Sequence, residues 1–80
     1  MNFKKNIIGG SYEVEIRKIG DERGFFSRVF CSNEFKKNNI TSTIRQANLS
    51  FSKLKGTIRG MHYQSDPASE MKAVRCVAGS

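Results

Sequence analysis

Eighty residues hold one domain or less, and folding at this size removes only roughly 60–65% of the chain's surface from water, so any core is thin. A hydrophobic share of 38% argues against intrinsic disorder, and no run of apolar residues approaches the ~18 that a membrane span needs. The 14 Lys and Arg against 7 Asp and Glu leave a net charge of +7, which attracts anions without choosing among nucleic acid, acidic lipid and phosphorylated metabolites.

Six Phe and seven Ile beside two Leu and four Ala favour strands, because aromatic and β-branched side chains suit a pleated surface. Residues 1–10 read as a lead-in segment ending at Gly9-Gly10, with two lysines and no apolar signal core. Tyr12, Val14 and Ile16 then alternate with Glu13, Glu15 and Arg17, the pattern of a half-buried strand. Gly20-Asp21-Glu22-Arg23-Gly24 is a turn by composition, and a second strand is predicted over Phe25 to Cys31. On it Arg28 shares a face with Phe26 and Phe30, either snorkelling to solvent or serving a site.

Ser32 reads as the N-cap of a short helix that carries Glu34 in its first turn and Lys36-Lys37 near its end, with Asn38-Asn39 as the stop. Ile40 to Ser52 reads as a strand grading into a Ser-rich loop at Leu49 to Lys55. A further strand is expected over Gly56 to Gln64, broken by Asp66-Pro67, and a last one over Met71 to Ala78, with Lys72, Val74, Cys76 and Ala78 on one face. Cys31 and Cys76 lie in no ligand-spaced set, so no metal site is expected, and both read as small buried hydrophobes. The basic residues fall in short pairs rather than a tract, which speaks for a solvated surface over a nucleic-acid reader. A cytoplasmic location with reduced thiols is the default, with neither nucleic acid nor membrane as partner.

Chemistry concentrates at Gly56-Thr57-Ile58-Arg59-Gly60-Met61-His62-Tyr63-Gln64. His62 is the only histidine, with an ordinary pKa of about 6.5, and is either a packed structural residue or a general base. Arg59 brings a forked donor suited to phosphate or carboxylate. In a regular strand the two would face opposite sides, and Gly60 marks a point where a bulge could turn both inward. Lys72 on an apolar face is costly unless paired or set beside an anion. Arg23 and Phe26 taken alone read as a solvated turn residue and a core residue. Gln46 and Asn48 suit either ligand contact or the satisfaction of strand-end backbone groups. Tyr63 reads as packing.

Together, Asp21-Glu22-Arg23-Gly24-Phe25-Phe26, Gln46-x-Asn48-x-Ser50, Arg59-Gly60-Met61-His62-Tyr63-Gln64 and Lys72-x-Val74-Arg75-Cys76-Val77-x-Gly79 resemble, in order and spacing, the dTDP-4-dehydrorhamnose 3,5-epimerase family. The resemblance runs from about residue 12 to the end. It implies an all-β fold, a cupin-like jelly-roll β-sandwich, of which residues 1–80 would form a single partial domain, its N-terminal part, with one short helix. It also implies a homodimer in the full-length form and a cofactor-independent epimerisation at C3 and C5 of a dTDP-linked 4-keto-6-deoxy sugar. On this resemblance His62 and Lys72 are the catalytic residues, and Arg23, Phe26, Gln46, Asn48, Arg59 and Lys72 bind substrate.

The sequence departs from the family pattern at Arg28, Ala47, Leu49 and Met71, which keeps open a related isomerase or single epimerase, or a non-catalytic binding module. The family's tyrosine acid and the acidic partner of its histidine fall beyond residue 80, so the isolated 80 residues are expected to be catalytically inactive.

Overall fold

A computed structural model describes residues 1–40 and 43–80. The chain falls into two compact units, Met1–Thr41 and Ser42–Ser80. All the regular structure among the described residues lies in the first, as two antiparallel strand pairs and one short helix.

The predicted alternation builds the first hairpin. Strand β2 (Tyr12–Glu15) turns Tyr12 and Val14 inward to half-buried positions, while Glu13 and Glu15 are exposed. Strand β1 (Asn2–Lys5) pairs with it in a register that sets Phe3 opposite Val14 and Lys4 opposite Glu13. The polar face is bound by charge, since Glu15 accepts from the Lys4 ammonium and, at 3.1 Å, from the Asn2 amide. Between the strands, the Ser11 N–H and hydroxyl both donate to the Ile8 carbonyl, at 3.2 and 2.8 Å, and leave Ile7 and Ile8 exposed. The lead-in segment thus contains a strand that composition did not disclose.

Strands β3 (Lys18–Asp21) and β4 (Gly24–Ser27) form a tighter hairpin, with Ile19 opposite Phe26 and Asp21 opposite Gly24. Its turn is set by the Asp21 carboxylate, which accepts the Arg23 N–H at 2.9 Å, and by Gly24 at φ +135°, a value that disfavours any side chain. The predicted second strand therefore begins one residue early and ends at Ser27, whose hydroxyl donates to the Arg17 carbonyl at 2.9 Å. Ile19, Phe25 and Phe26 stay exposed, with the Lys18 ammonium 4.6 Å from the Phe25 ring centroid.

Helix α1 (Ser32–Lys37) appears where expected, but its N-cap is Cys31, which makes no side-chain capping bond. Its end is a Schellman motif: the Ile40 N–H donates to the Phe35 carbonyl at 2.9 Å and the Asn39 N–H to the Lys36 carbonyl at 3.0 Å, with Asn39 left-handed at φ +62°. Phe35 is the one buried residue among those described. Its ring meets Phe3 edge-on at 5.2 Å and Phe30 at 4.9 Å, and Phe3 in turn meets Tyr12 at 6.4 Å. The Tyr12 hydroxyl donates to the Asn38 carbonyl at 3.1 Å, tying hairpin to helix. Glu34 draws in the Met1 ammonium at 3.1 Å and the exposed Arg28 at 3.3 Å.

Residues 43–80 contain turns and bends but no strand, so the strands expected over 56–64 and 71–78 do not form. Nor does one form over 43–52; residues 41 and 42 of that expected strand lie outside the described residues. An alternating pattern supplies a face, while a strand also needs a neighbouring backbone to bond. Cys31 is half-buried and Cys76 exposed, both as free thiols, so neither is the buried hydrophobe expected.

Two outcomes follow for the first unit. Phe35→Ala, read by thermal circular dichroism, is expected to cost about 3 kcal/mol. At roughly 0.05–0.15 kcal/mol per residue the unit Met1–Thr41 holds about 2–6 kcal/mol, so that loss removes half of it or more and the melting midpoint should fall steeply. The Met1 ammonium, aided by Arg28, holds the Glu34 carboxyl below the ordinary glutamate value. Its contribution is therefore present above about pH 4.3 and lost as pH falls through the lowered folded value. In an NMR titration Glu34 should protonate below the ordinary glutamate value, and Arg28→Ala should move it part of the way back.

Candidate active site

In the second unit, side chains bonded to main chain take the place of a strand ladder. Leu54-Lys55-Gly56-Thr57 reverses the chain, with Gly56 at φ +82° and both the N–H and hydroxyl of Thr57 donating to the Leu54 carbonyl, at 3.3 and 2.8 Å. The reversal brings Arg59 back to Phe51, whose carbonyl accepts from the guanidinium at 3.1 Å. That bond engages part of the Arg59 fork, which has five N–H donors in all.

Gly60 follows at φ +83°, and the His62 ring lies against it; a Cβ built on residue 60 would stand 3.2 Å from His62 Nδ1. Gly60 is therefore a turning point beside the histidine, as the spacing hinted, although no strand is present to carry a bulge.

Lys72 reaches back ten residues to donate from Nζ to the His62 carbonyl at 3.0 Å, and its ammonium is also 3.4 Å from the Glu70 carboxylate. Lys72 further lines a groove of about 1000 Å³ between residues 43–48 and 68–74, where Gln46 and Asn48 stand on the other wall. Upstream of Lys72, Ser69 donates to the Asp66 carboxylate and the Ala68 N–H to the Ser65 carbonyl at 3.0 Å, which curls the chain after Asp66-Pro67.

Of the expected site residues, Gln46, Asn48 and Lys72 thus share one groove, and His62 is joined to Lys72 through its main chain. Arg59 lies in the same unit, three residues before His62. Arg23 and Phe26 belong to the other unit, at the tip and on the second strand of the β3–β4 hairpin. Arg23 is paired with Asp21 at 2.7 Å, an exposed contact that holds the Asp21 carboxyl below its ordinary range and raises the guanidinium's. Phe26 is 72% exposed and Tyr63 86%, so neither is the packing residue that its type implied.

Arg45 and Glu70 line the groove without having been singled out. Glu70 was within reach of sequence reasoning, since it stands two residues before Lys72 and on an extended chain shares its face. Among the described residues no three His, Cys, Asp or Glu side chains gather as a metal would require, and no helix is long and apolar enough to cross a membrane.

Residues 5–80 match the family model described as dTDP-4-dehydrorhamnose 3,5-epimerase. The chain belongs to that family. A relative of that name from Sinorhizobium fredii is 45% identical over 80 residues, which is all of this chain and 41% of the relative. One from Shigella flexneri is 38% identical over 99% of this chain and 44% of its own length, and one from Mycobacterium tuberculosis is 31% identical over 100% and 40%. The chain thus spans about two fifths of the length of these epimerase relatives. No solved structure matches it.

Gly60 offers a test of the local geometry that needs no ligand. Gly60→Ala puts a side chain at positive φ and a Cβ within 3.2 Å of the imidazole, so the ring must move by a few tenths of an ångström. The His62 Cε1–H NMR resonance should shift or broaden, at a cost of about 1 kcal/mol or more where the unit's stability can be measured.

Proposed function

We propose that this chain carries part of the active site of a dTDP-4-dehydrorhamnose 3,5-epimerase. On this reading it takes a dTDP-linked 4-keto-6-deoxy sugar and acts as part of a cytoplasmic jelly-roll protein that works as a homodimer. The observation that carries the reading is the bond from Lys72 to the His62 carbonyl beside the groove walled by Gln46 and Asn48. Residues from three of the four motifs are involved in it, and the family match spans all four.

The chemistry follows from the substrate. The hydrogens at C3 and C5 are both α to the C4 ketone, so the electrons left by removing either proton delocalise onto the ketone oxygen without any cofactor. His62 takes the proton as general base, a role worth roughly 10²–10⁴-fold. Lys72 stabilises the enolate oxygen, as preorganised donors do at developing negative charge. A second group returns a proton to the opposite ring face, and the resemblance assigns that step to a tyrosine outside these residues.

Arg59 holds the diphosphate with the guanidinium donors not engaged by Phe51, and Gln46 and Asn48 bind the nucleotide and sugar. In the homodimer, Arg23 and Phe26 on the β3–β4 hairpin meet the nucleotide of the partner subunit's site. Exposed Ile19, Phe25 and Phe26 on that hairpin support a covering partner, as an apolar patch on a soluble chain does.

Calorimetry with dTDP tests this reading, at low and moderate salt, beside Arg59→Ala and His62→Ala. Saturable binding is expected, weakened roughly tenfold by Arg59→Ala, an effect of ~1.4 kcal/mol. His62→Ala should matter less, since dTDP lacks the sugar on which the base acts. Absence of binding in a sample folded by circular dichroism would refute a working nucleotide site in this chain.

A further inference from the structure

We propose that Glu70 is a positioning residue for Lys72, and that the pair reads the uncharged carbonyl end of the substrate rather than its diphosphate. This inference rests on the epimerase reading above. A lysine makes a poor catalytic donor unless it is aimed, because its four-carbon stem carries about 2 kcal/mol of rotamer freedom and its ammonium is a point charge without a fixed fork. Two acceptors restrain it here: the His62 carbonyl at 3.0 Å and the Glu70 carboxylate at 3.4 Å.

An ammonium has three N–H donors. With one spent on the His62 carbonyl and the ammonium drawn toward Glu70, donor capacity remains for a group in the groove that both side chains line. Because the first acceptor is His62's own main chain, the aimed ammonium is fixed relative to the residue assigned as base.

The charge balance selects what that donor meets. Glu70 beside Lys72 makes this wall of the groove locally neutral, which disfavours a diphosphate there and suits a ketone oxygen. Such an oxygen is uncharged on binding and becomes negative only as the proton leaves. An ammonium aimed by a carboxylate bonds the neutral ketone oxygen modestly and attracts the developing oxyanion more strongly, the differential that catalysis requires. Arg59, and Arg45 across the groove, have no carboxylate partner among the described ion pairs, so a diphosphate is left to them rather than to Lys72.

The test compares the affinity of the 80-residue chain for dTDP and for a dTDP-linked 4-keto-6-deoxy sugar, by calorimetry. The variants are Glu70→Ala, Glu70→Asp, Lys72→Ala and the Glu70→Ala/Lys72→Ala double. Wild type should bind the keto sugar three- to tenfold tighter than dTDP. Glu70→Ala should abolish that increment while leaving dTDP affinity within twofold, and Glu70→Asp should restore part of it. The double variant should lose no more than Lys72→Ala alone, as expected of residues acting through one another.

An increment that survives Glu70→Ala, or losses that add in the double variant, overturns the proposal and leaves the epimerase reading standing. So does a wild type that binds both ligands equally, or a Glu70→Ala that weakens both alike, since a general structural role would do that. A folded wild type that binds neither ligand refutes the site reading and this inference with it.

Discussion

The organisation of the first unit passes through one ring. Phe35 projects from a helix of six residues, far too short to persist alone when isolated helices below about 12–15 residues are marginal in water. Its contacts come from both sides in sequence, Phe3 on β1 and Phe30 just before the helix, so helix and first hairpin each supply what the other lacks. The Schellman end serves the same contact, since its two bonds place half-buried Ile40 after the turn and keep Phe35's carbonyl satisfied. Around this apolar centre the polar bonds are peripheral: Tyr12 to Asn38, Glu34 to the Met1 ammonium, and Lys4 to Glu15. Solvent screening keeps the exposed Lys4–Glu15 pair small. These polar bonds fix the direction of approach more than they drive it.

The second hairpin has no such anchor, and it shows what a turn can do unaided. Asp21, Arg23 and Gly24 define its reversal through one Asx-type bond and one left-handed glycine. Both its faces remain open, with Ile19 63% and Phe26 72% exposed. Two-stranded hairpins are marginal in water without a third layer, so its local geometry is specified by chemistry that does not depend on burial.

This division explains what was legible in the residues. Features encoded locally could be read: the alternation over Tyr12 to Ile16, the Asp21 to Gly24 turn, the helix over Ser32 to Lys37 and its stop at Asn38-Asn39. Features that need a distant partner could not. β1 is strand only because β2 lies across from it, and Asn2-Phe3-Lys4-Lys5 carries too little alternation to announce itself. Conversely, Gly56 to Gln64 and Met71 to Ala78 have strand-like residues but no backbone partner among those described, and they form none. The family was legible through its motifs. The Lys72 bond to the His62 carbonyl was not, because it depends on how the chain folds back after Asp66-Pro67.

On the proposed epimerase reading, the same uncovered surface separates binding from catalysis. Ile58, Met61, Tyr63, Met71 and Val74 flank the histidine, the lysine and the groove, and all are exposed. Charge contacts in that setting act against bulk water, where two unit charges 4 Å apart gain about 1 kcal/mol, compared with about 4 kcal/mol at the effective dielectric of a protein surface. Recognition of a diphosphate tolerates this, since the ligand arrives fully charged and a forked guanidinium bonds it in geometry as well as in field. Stabilising an enolate does not tolerate it, because the oxygen's charge appears only at the transition state and water competes for it there. On the epimerase reading proposed above, donor geometry at Lys72 is thus a necessary condition for proton abstraction by His62, while the rate depends on how far these apolar residues become covered and exclude water from the groove.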